Sequence, residues 1–516
     1  MVRSHEYHDS VRLMQVSEQI RQFENVEEAI LMMATDNNKK LLGAAGLMTE
    51  EVKTAARDDL VIGIVARTDQ AANNAMAKAD EFLRKQSSQF NAYEHRSLES
   101  AMETLEDANL ALISIPGEYA TAETQKVLQK GLNVMLFSDN VSIEDELSLK
   151  QLAYERGLLL MGPDCGTAII NGYGFGFANA VSRGNVGIIG ASGTGIQELS
   201  VQLQRHGLGI SHAIGTGGRD LKSQIGGLSM LMGIDMLAVD TETEIIILTS
   251  KPPDKDVAKR VLDKAAACGK PIVVNFLGDD NEMAADSNLI TAKTLTGAAH
   301  KVARILGRDQ NDDSSLQRFE DDLQKLASEQ AQLLSPNQRY LRGLYSGGTL
   351  CYEAMLILRN HIGNVYSNIA LSPNYCLNDP SHSREHTLLD LGDDMFTRGQ
   401  AHPMIDPNLR NQRFREEADD DNVAVILLDV VLGYGCHENP AEKLSECIQF
   451  SKARAADGDR HLIVITTVCG TEQDPQDLVK QKKLLGDAGA IVVASNAEAS
   501  RMAGLVLNTI TKEDAP

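Results

Sequence analysis

Short apolar runs alternate with amphipathic stretches over most of the chain, and their order predicts the fold class. Between residues 108 and 161 the runs 110–115, 133–137 and 158–161 are separated by helical patterns at 120–130 and 143–157. Continuous apolar strands that alternate with helices predict a parallel sheet buried on both faces. The pattern continues in strands at 186–189, 209–214, 245–249 and 271–276, with helices between them. It then repeats in the same order at 343–345, 387–391, 423–428, 461–468 and 491–494. The chain therefore reads as a multi-domain α/β protein with a duplicated module. Residues 1–95 hold helical stretches at 11–23 and 71–85 and strand-like runs at 29–34 and 60–65, which predict a small separate α/β domain.

A length of 516 residues exceeds one hydrophobic core. The expected division is 1–95, 96–183, 184–310, a polar connecting helix at 311–338, whose spaced leucines Leu323, Leu326, Leu333 and Leu334 we read as part of a solvated helix rather than an interaction motif, and 339–512. A net charge of −23 without a basic stripe argues against nucleic acid or an anionic membrane as partner. The N-terminus has no apolar leader, and the longest apolar runs are of strand length, which predicts a cytoplasmic protein. Seven scattered cysteines and no C-x-x-C pair fit a reducing compartment and give structural zinc no support.

One motif occurs twice, each time where a strand runs into a helix. The first copy is Val186-Gly-Ile-Ile-Gly-Ala-Ser192-Gly193-Thr194, followed by Glu198; the second is Leu344-Tyr-Ser-Gly347-Gly348-Thr349, followed by Glu353 at the same offset. Glycine lets backbone approach a ligand and the first helical N–H groups face it, so both copies are candidate anion cradles rather than plain turns. Ligands of parallel sheets bind beyond the carboxyl ends of the strands, which places Lys251 and the loop Gly433-Tyr434-Gly435-Cys436-His437 on the same rim. A helix entered at Pro440 would turn that loop into the opposing helix start. His437 is the candidate general base.

Three further stretches carry polar chemistry. Gly162-Pro-Asp-Cys165-Gly166 is either a rigid structural turn or a backbone donor loop, with Cys165 as a weaker nucleophile candidate. Thr216-Gly217-Gly218-Arg219 offers a fork-shaped cation for a carboxylate or phosphate, with a surface ion pair as the equal alternative. Asp390-Leu-Gly-Asp393-Asp394 and His402-Pro-Met-Ile-Asp406-Pro-Asn-Leu-Arg410 form the densest polar stretch, in which Asp393, Asp394, His402 and Asp406 are of metal-ligating type. We read it as an ordered substrate loop with Arg410 as anion partner; a divalent metal is the minority reading, and no metal ligand set is assigned.

These motifs resemble the succinyl-CoA synthetase superfamily. Gly162–Gly166, Gly184–Thr194 and Gly215–Gly218 look like consecutive motifs of its α subunit, and Leu388-Leu-Asp-Leu-Gly392 with residues 423–441 looks like the ligase domain of its β subunit. The nearest resemblance is to the FdrA family, through 136–146, 161–167, 190–198, Gly392-Asp-Asp394 and His402-Pro-Met-Ile-Asp-Pro407. It implies Rossmann-like and flavodoxin-like domains, 96–183 being a partial CoA-binding-like domain. Phosphate would lie between helix starts at Ser192-Gly193-Thr194 and Gly433-Tyr434-Gly435. The relay histidine of the synthetases has no counterpart: residues 277–283 read Leu-Gly-Asp-Asp-Asn-Glu-Met, and Lys251 stands where the assisting glutamate is expected. No ATP-grasp domain is visible, and 86–109 contains no glycine for a nucleotide fingerprint.

The FdrA resemblance thus implies exchange of phosphate or carbamoyl phosphate with a carbamoylated, oxamate-type amide in ureide (allantoin) catabolism. Lys251 and Arg219 would neutralise charge, and no cofactor is expected, with CoA as a doubtful ligand. Expected partners are a small anionic substrate, further carbamoyltransferase subunits and a second copy of the chain. The rivals are an ADP-forming acyl-CoA synthetase and a regulatory or assembly subunit without catalysis.

Overall fold

The computed structural model describes residues 1–4, 6, 8, 10–35, 38–39, 42–43, 46–85, 95, 97–279, 288–308, 313–397 and 400–513. In the N-terminal domain, β1 (Val2–Arg3), β2 (Val26–Met33) and β3 (Leu60–Ala66) form an antiparallel sheet in the order β1-β3-β2. Helices α1 (Ser10–Arg21) and α3 (Asp69–Lys85) cover it, and the short α2 (Glu50–Thr54) lies between β2 and β3 in the chain. Leu13, Val16 and Ile20 recur at helical spacing on α1 and meet Leu31, Leu60 and Ile62 of the sheet. After α4 (Leu98–Thr104), a parallel sheet β4-β5-β6 (Leu110–Ile113, Asn133–Leu136, Leu160–Met161) carries α5 (Gly117–Gln129) and α6 (Ile143–Glu155).

The first module holds seven strands in the order β13-β12-β11-β9-β10-β7-β8. Its parallel part comprises β9 (Arg183–Gly190), β10 (Ile210–Gly215), β11 (Ile245–Ser250), β12 (Ile272–Phe276) and β13 (Leu289–Thr291). Its helices are α7 (Gly193–Arg205), α8 (Leu228–Val239), α9 (Lys255–Ala266) and α10 (Leu295–Ile305). The hairpin β7–β8 (Thr167–Ile170, Tyr173–Gly176) pairs antiparallel onto β10. It falls in the 96–183 segment of the sequence division, yet its hydrogen bonds belong to the sheet that follows. Asn171 and Gly172 turn it with φ of 54° and 81°, as a two-residue hairpin loop requires.

The second module, β14 (Tyr340–Tyr345), β15 (Thr387–Asp390), β16 (Val423–Val431), β17 (Ile463–Cys469) and β18 (Ile491–Val493), is ordered β15-β14-β16-β17-β18. That is the order of β10-β9-β11-β12-β13, so the duplication extends to topology. Its helices are α12 (Gly348–Ile362), α13 (Asp394–Thr397), α14 (Asn408–Ala418), α15 (Pro440–Asp457), α16 (Leu478–Asp487) and α17 (Asn496–Glu513). One apolar core spans both modules, with Ile196 and Leu199 of α7 and Leu350 and Ala354 of α12 in it. The connecting helix α11 (Asp313–Ala331) corrects the expectation of a solvated linker. Leu323, Ala327 and Ala331 recur every fourth residue, which gives it one apolar stripe, and that stripe is buried where α11 packs on α17. Among the described residues no helix is long and apolar enough to cross a membrane.

The N-terminal domain docks on the second module through charge. Arg21 Nη1 lies 2.8 Å from Asp406 Oδ2, Asn408 Nδ2 donates to Glu18 Oε2 at 2.9 Å, and Lys443 Nζ lies 3.3 Å from Glu18 Oε1. Burial, with Glu18 adding to it, pushes the Asp406 pKa up to about 6, and Arg21 opposes. Asp406 is thus turned to the N-terminal domain rather than to a substrate. Arg21→Glu is expected to weaken docking by about 2 kcal/mol, the scale of a charge-assisted hydrogen bond. Limited proteolysis should then release the N-terminal domain sooner than in wild type; identical time courses would mean that the pair contributes nothing.

Candidate functional site

The two copies of the glycine motif meet. Helix α7 starts at Gly193 behind Ser192, whose Oγ accepts the Gly195 N–H at 2.9 Å; α12 starts at Gly348 behind Gly347, which has no side chain to cap it. Ser192 Oγ lies 2.5 Å from Thr349 Oγ1. Reciprocally, the Thr194 side chain packs on Gly347, 2.8–3.1 Å from where a Cβ would stand. In both contacts the capping residue of one copy touches the threonine of the other, so the helix starts interlock about a local pseudo-twofold. Among the described residues the N–H groups of Gly193, Thr194, Gly348 and Thr349 find no acceptor. Thr167 Oγ1, on the hairpin, is buried without a partner and lies 3.4 Å from a Cβ position on Gly193. An anion here would gain roughly 0.3–2 kcal/mol from each helix start.

Two charged side chains edge this cradle. Lys251 follows β11 and Asp390 ends β15. A Cβ on Gly348 would overlap Asp390 Oδ2 and lie 3.3 Å from Lys251 Nζ. Asp390 Oδ1 accepts the Gly392 N–H at 3.0 Å. Burial pushes the Asp390 pKa up to about 6; Lys251 opposes, while Asp393 and Asp429 add to the rise. Asp429, on β16, accepts the N–H groups of Ser346 at 2.7 Å and Gly347 at 2.8 Å and so shapes the second loop. Sequence reasoning missed Asp390 and Asp429 as site residues. Their signal was a carboxylate near the carboxyl end of an otherwise apolar strand, Leu388-Leu-Asp390 and Leu427-Leu-Asp429.

Arg410 lies behind the loop instead of facing a ligand. It is 2% exposed, its Nη1 donates to Ser346 Oγ at 2.8 Å, and it stands 3.5 Å from Asp429 Oδ1. His402 packs on Gly392, with Nε2 2.5 Å from a Cβ position there, and its ring centroid is 6.0 Å from that of Phe177. Its Nδ1 accepts the Met404 N–H at 3.2 Å, and burial pulls its pKa down to about 4. Asp393 accepts the Met395 N–H at 3.0 Å. No group of three His, Cys, Asp or Glu that could hold a metal ion is present among the described residues.

The loop at Gly433, Tyr434 and Gly435 is not the opposing helix start. Gly433 N–H donates to Gln476 Oε1 at 3.2 Å, Tyr434 N–H to Ala178 O at 3.0 Å, and α15 begins only at Pro440. The first donor is spent within the second module and the second ties that module to Ala178, so the place opposite Gly193 falls to Gly348. His437 lies at the N-terminal contact: Glu18 and Lys443 act on it, and burial lowers its pKa. Its Nδ1 accepts the Asn439 N–H at 3.0 Å.

Cys165 is buried, its thiol pKa is pushed up to about 12 by burial, and its N–H donates to Leu136 O at 3.1 Å. Its thiol is turned to Thr167 O at 3.6 Å and its N–H is spent on Leu136 O, so both act within the turn. Gly217 packs on Pro163 O, and Gly218 is open. Arg219 Nη2 is 2.8 Å from Glu146 Oε2 and donates to Val141 O at 2.9 Å, so it is held by an ion pair. Behind it, buried Lys150 Nζ bridges Asp220 at 2.7 Å and Glu146 at 3.0 Å. Residues 280–287, which cover most of the loop without the relay histidine, lie outside the described residues.

Comparison with known proteins divides the chain in a consistent way. The family model "AllF, heavy metal-associated domain" matches residues 1–99, "CoA binding domain" matches 181–278 and "CoA-ligase" matches 344–506. The CoA-binding likeness therefore falls on the first module, not on 96–183 where the sequence reading placed it. The chain is 46% identical over 504 residues to the uncharacterized protein YahF of Escherichia coli (strain K12), covering 98% of this chain and 97% of that one. It is 31% identical over 179 residues to the succinate–CoA ligase [ADP-forming] subunit alpha of Aquifex aeolicus (strain VF5), covering 33% of this chain and 57% of that subunit. Among solved structures, ATP citrate lyase from Methanothrix soehngenii with citrate and coenzyme A aligns over 81% of this chain and 85% of its own, at 10% identity and a TM-score of 0.33. The two modules resemble the α and β parts of succinyl-CoA synthetase.

Proposed function

The chain belongs to the same family as YahF, and from that premise we propose an enzyme of the acyl-CoA synthetase kind that works on an acyl phosphate. The interlocked starts of α7 and α12 carry this reading: they touch through Ser192 and Thr349, leave four N–H groups without acceptors among the described residues, and have Lys251 Nζ 3.3 Å from a Cβ position on Gly348. Such donors suit phosphate, and they suit it best as a leaving group, when charge builds on its bridging oxygen. In the reaction, a thiol sulfur of CoA attacks the carbonyl carbon of the acyl phosphate. The bond from that carbon to the bridging oxygen breaks, and phosphate departs with the electron pair into the cradle. The match of 181–278 to a CoA-binding domain and of 344–506 to a CoA-ligase supports CoA as acceptor.

A second reading keeps the cradle and changes the acceptor. Carbamoyl phosphate would donate to an oxamate-type amide, as in FdrA-like carbamoyltransferases of ureide catabolism that work with further subunits in the cytoplasm. The AllF domain match at 1–99 and Lys251 in place of the expected glutamate favour it.

Calorimetric titration in phosphate-free buffer separates these readings. Phosphate is expected to bind saturably, and Lys251→Ala to lower its affinity at least tenfold, about 1.4 kcal/mol. Saturable CoA binding selects the first reading; binding of carbamoyl phosphate without CoA selects the second. Wild type that binds neither phosphate nor an acyl phosphate rules out the cradle itself.

A further inference from the structure

Every group assigned so far binds phosphate, and none accounts for the proton that the acceptor must lose. A carboxylate set against an anion cradle is itself unexpected, because it repels the ligand. Asp390 is nevertheless 6% exposed, with Oδ1 held by the Gly392 N–H at 3.0 Å and Oδ2 2.1 Å from a Cβ position on Gly348. Gly348 supplies one of the free N–H groups, so Oδ2 stands at the edge of the phosphate position and beside Lys251 Nζ. A carbonyl carbon joined to such a phosphate through its bridging oxygen would lie on the side of the cradle that Oδ2 edges if the acyl group points toward Gly348.

Resting on the cradle reading, we propose that Asp390 is the proton acceptor of the site. Its Oδ2 takes the proton of the acceptor thiol or amide while sulfur or nitrogen bonds to the carbonyl carbon. The bond from carbon to the bridging oxygen breaks, its electron pair leaves with phosphate, and the N–H groups and Lys251 receive the charge. In the reverse direction protonated Asp390 returns the proton to the leaving thiolate or amide. A carboxylate proton acceptor is most effective with a pKa near the working pH, and about 6 meets that condition. Burial raises it most; Lys251 after β11 and the Gly392 N–H lower it, Asp393 on its own loop and Asp429 on β16 raise it further, and Arg410 compensates Asp429.

The test titrates the full chain with sulfate, a phosphate-shaped dianion that brings no proton of its own, in buffers of different ionisation heat at pH 7. Wild type is expected to take up a proton fraction on binding, because the anion favours protonated Asp390. Asp390→Asn should take up less and bind sulfate about tenfold more tightly at pH 8, while Asp390→Glu restores the uptake. In phosphate release from acetyl phosphate with CoA, or from carbamoyl phosphate with oxamate, Asp390→Asn should fall at least about a hundredfold in kcat. Its kcat/KM should also lose the acidic limb near pH 6, and its kcat the same limb displaced to higher pH by the bound anion. A purely structural Asp390 would move the thermal midpoint without moving proton uptake. Equal uptake and equal kcat in wild type and Asp390→Asn overturn the role of Asp390 and leave the cradle standing. Wild type that neither binds sulfate or phosphate nor turns over either pair overturns the cradle and this inference with it.

Discussion

Arg410→Ala is expected to destabilise the second module by about 3–5 kcal/mol, the cost of removing one partner of a buried ion pair. Asp429 is wholly buried and keeps its charge company through Arg410 alone among the cations described near it. It cannot turn to water, because both its oxygens hold the N–H groups of Ser346 and Gly347. In a module of this size each kcal/mol moves the thermal midpoint by about 2–4 °C, so the fall is readily measured by calorimetry. Arg410→Ala combined with Asp429→Asn should recover part of the loss, since the uncompensated charge is then gone while one amide oxygen still accepts. A midpoint unchanged in the single variant would show that Arg410 does not hold the loop.

Gly348→Ala should separate binding from stability in the opposite way. Gly348 opens α12 with a negative φ, so alanine suits the backbone and improves helix propensity by up to about 1 kcal/mol. Its methyl group, however, overlaps Asp390 Oδ2 and crowds Lys251 Nζ, and neither the short aspartate nor the helix start can yield far. Phosphate affinity is expected to fall at least about thirtyfold, near 2 kcal/mol, while the thermal midpoint falls by less than in Arg410→Ala, because overpacking of about 1–3 kcal/mol is partly offset by the gain in helix propensity. Gly486→Ala is the control, because nothing lies within 4 Å of its added carbon. Equal phosphate affinity in Gly348→Ala and wild type would place the anion elsewhere.

The strands were legible because residues such as 245–250 and 423–431 are apolar throughout, and a strand buried on both faces needs no partner information to be read. The hairpin 167–176 was equally legible in principle, since Asn171-Gly172 is a strong turn signal, but its glycine-rich second strand hid the alternation. The stripe Leu323, Ala327 and Ala331 was harder to see, because two of its three members are only alanine. At the site, the duplicated glycine motif marked both helix starts, while the resemblance to the synthetases set Gly433–Gly435 opposite Ser192–Thr194. That pairing failed because a loop offers donors only if nothing else takes them, and Gln476 and Ala178 take those of Gly433 and Tyr434.

The same limit applied to Arg219 and Asp406. Each is a plausible ligand residue by type, yet Glu146 and Arg21, far away in the chain, claim them. The sequence alone determined the α/β class, the duplication and the two glycine-led helix starts, since these follow from local periodicity and from backbone freedom at glycine. Only the tertiary structure decided that the two starts face one another, that Asp390 and Lys251 edge them, and that Arg410 is sealed behind them. Those outcomes depend on which polar groups find partners across long chain separations, and burial makes each unpaired group costly enough to fix the choice.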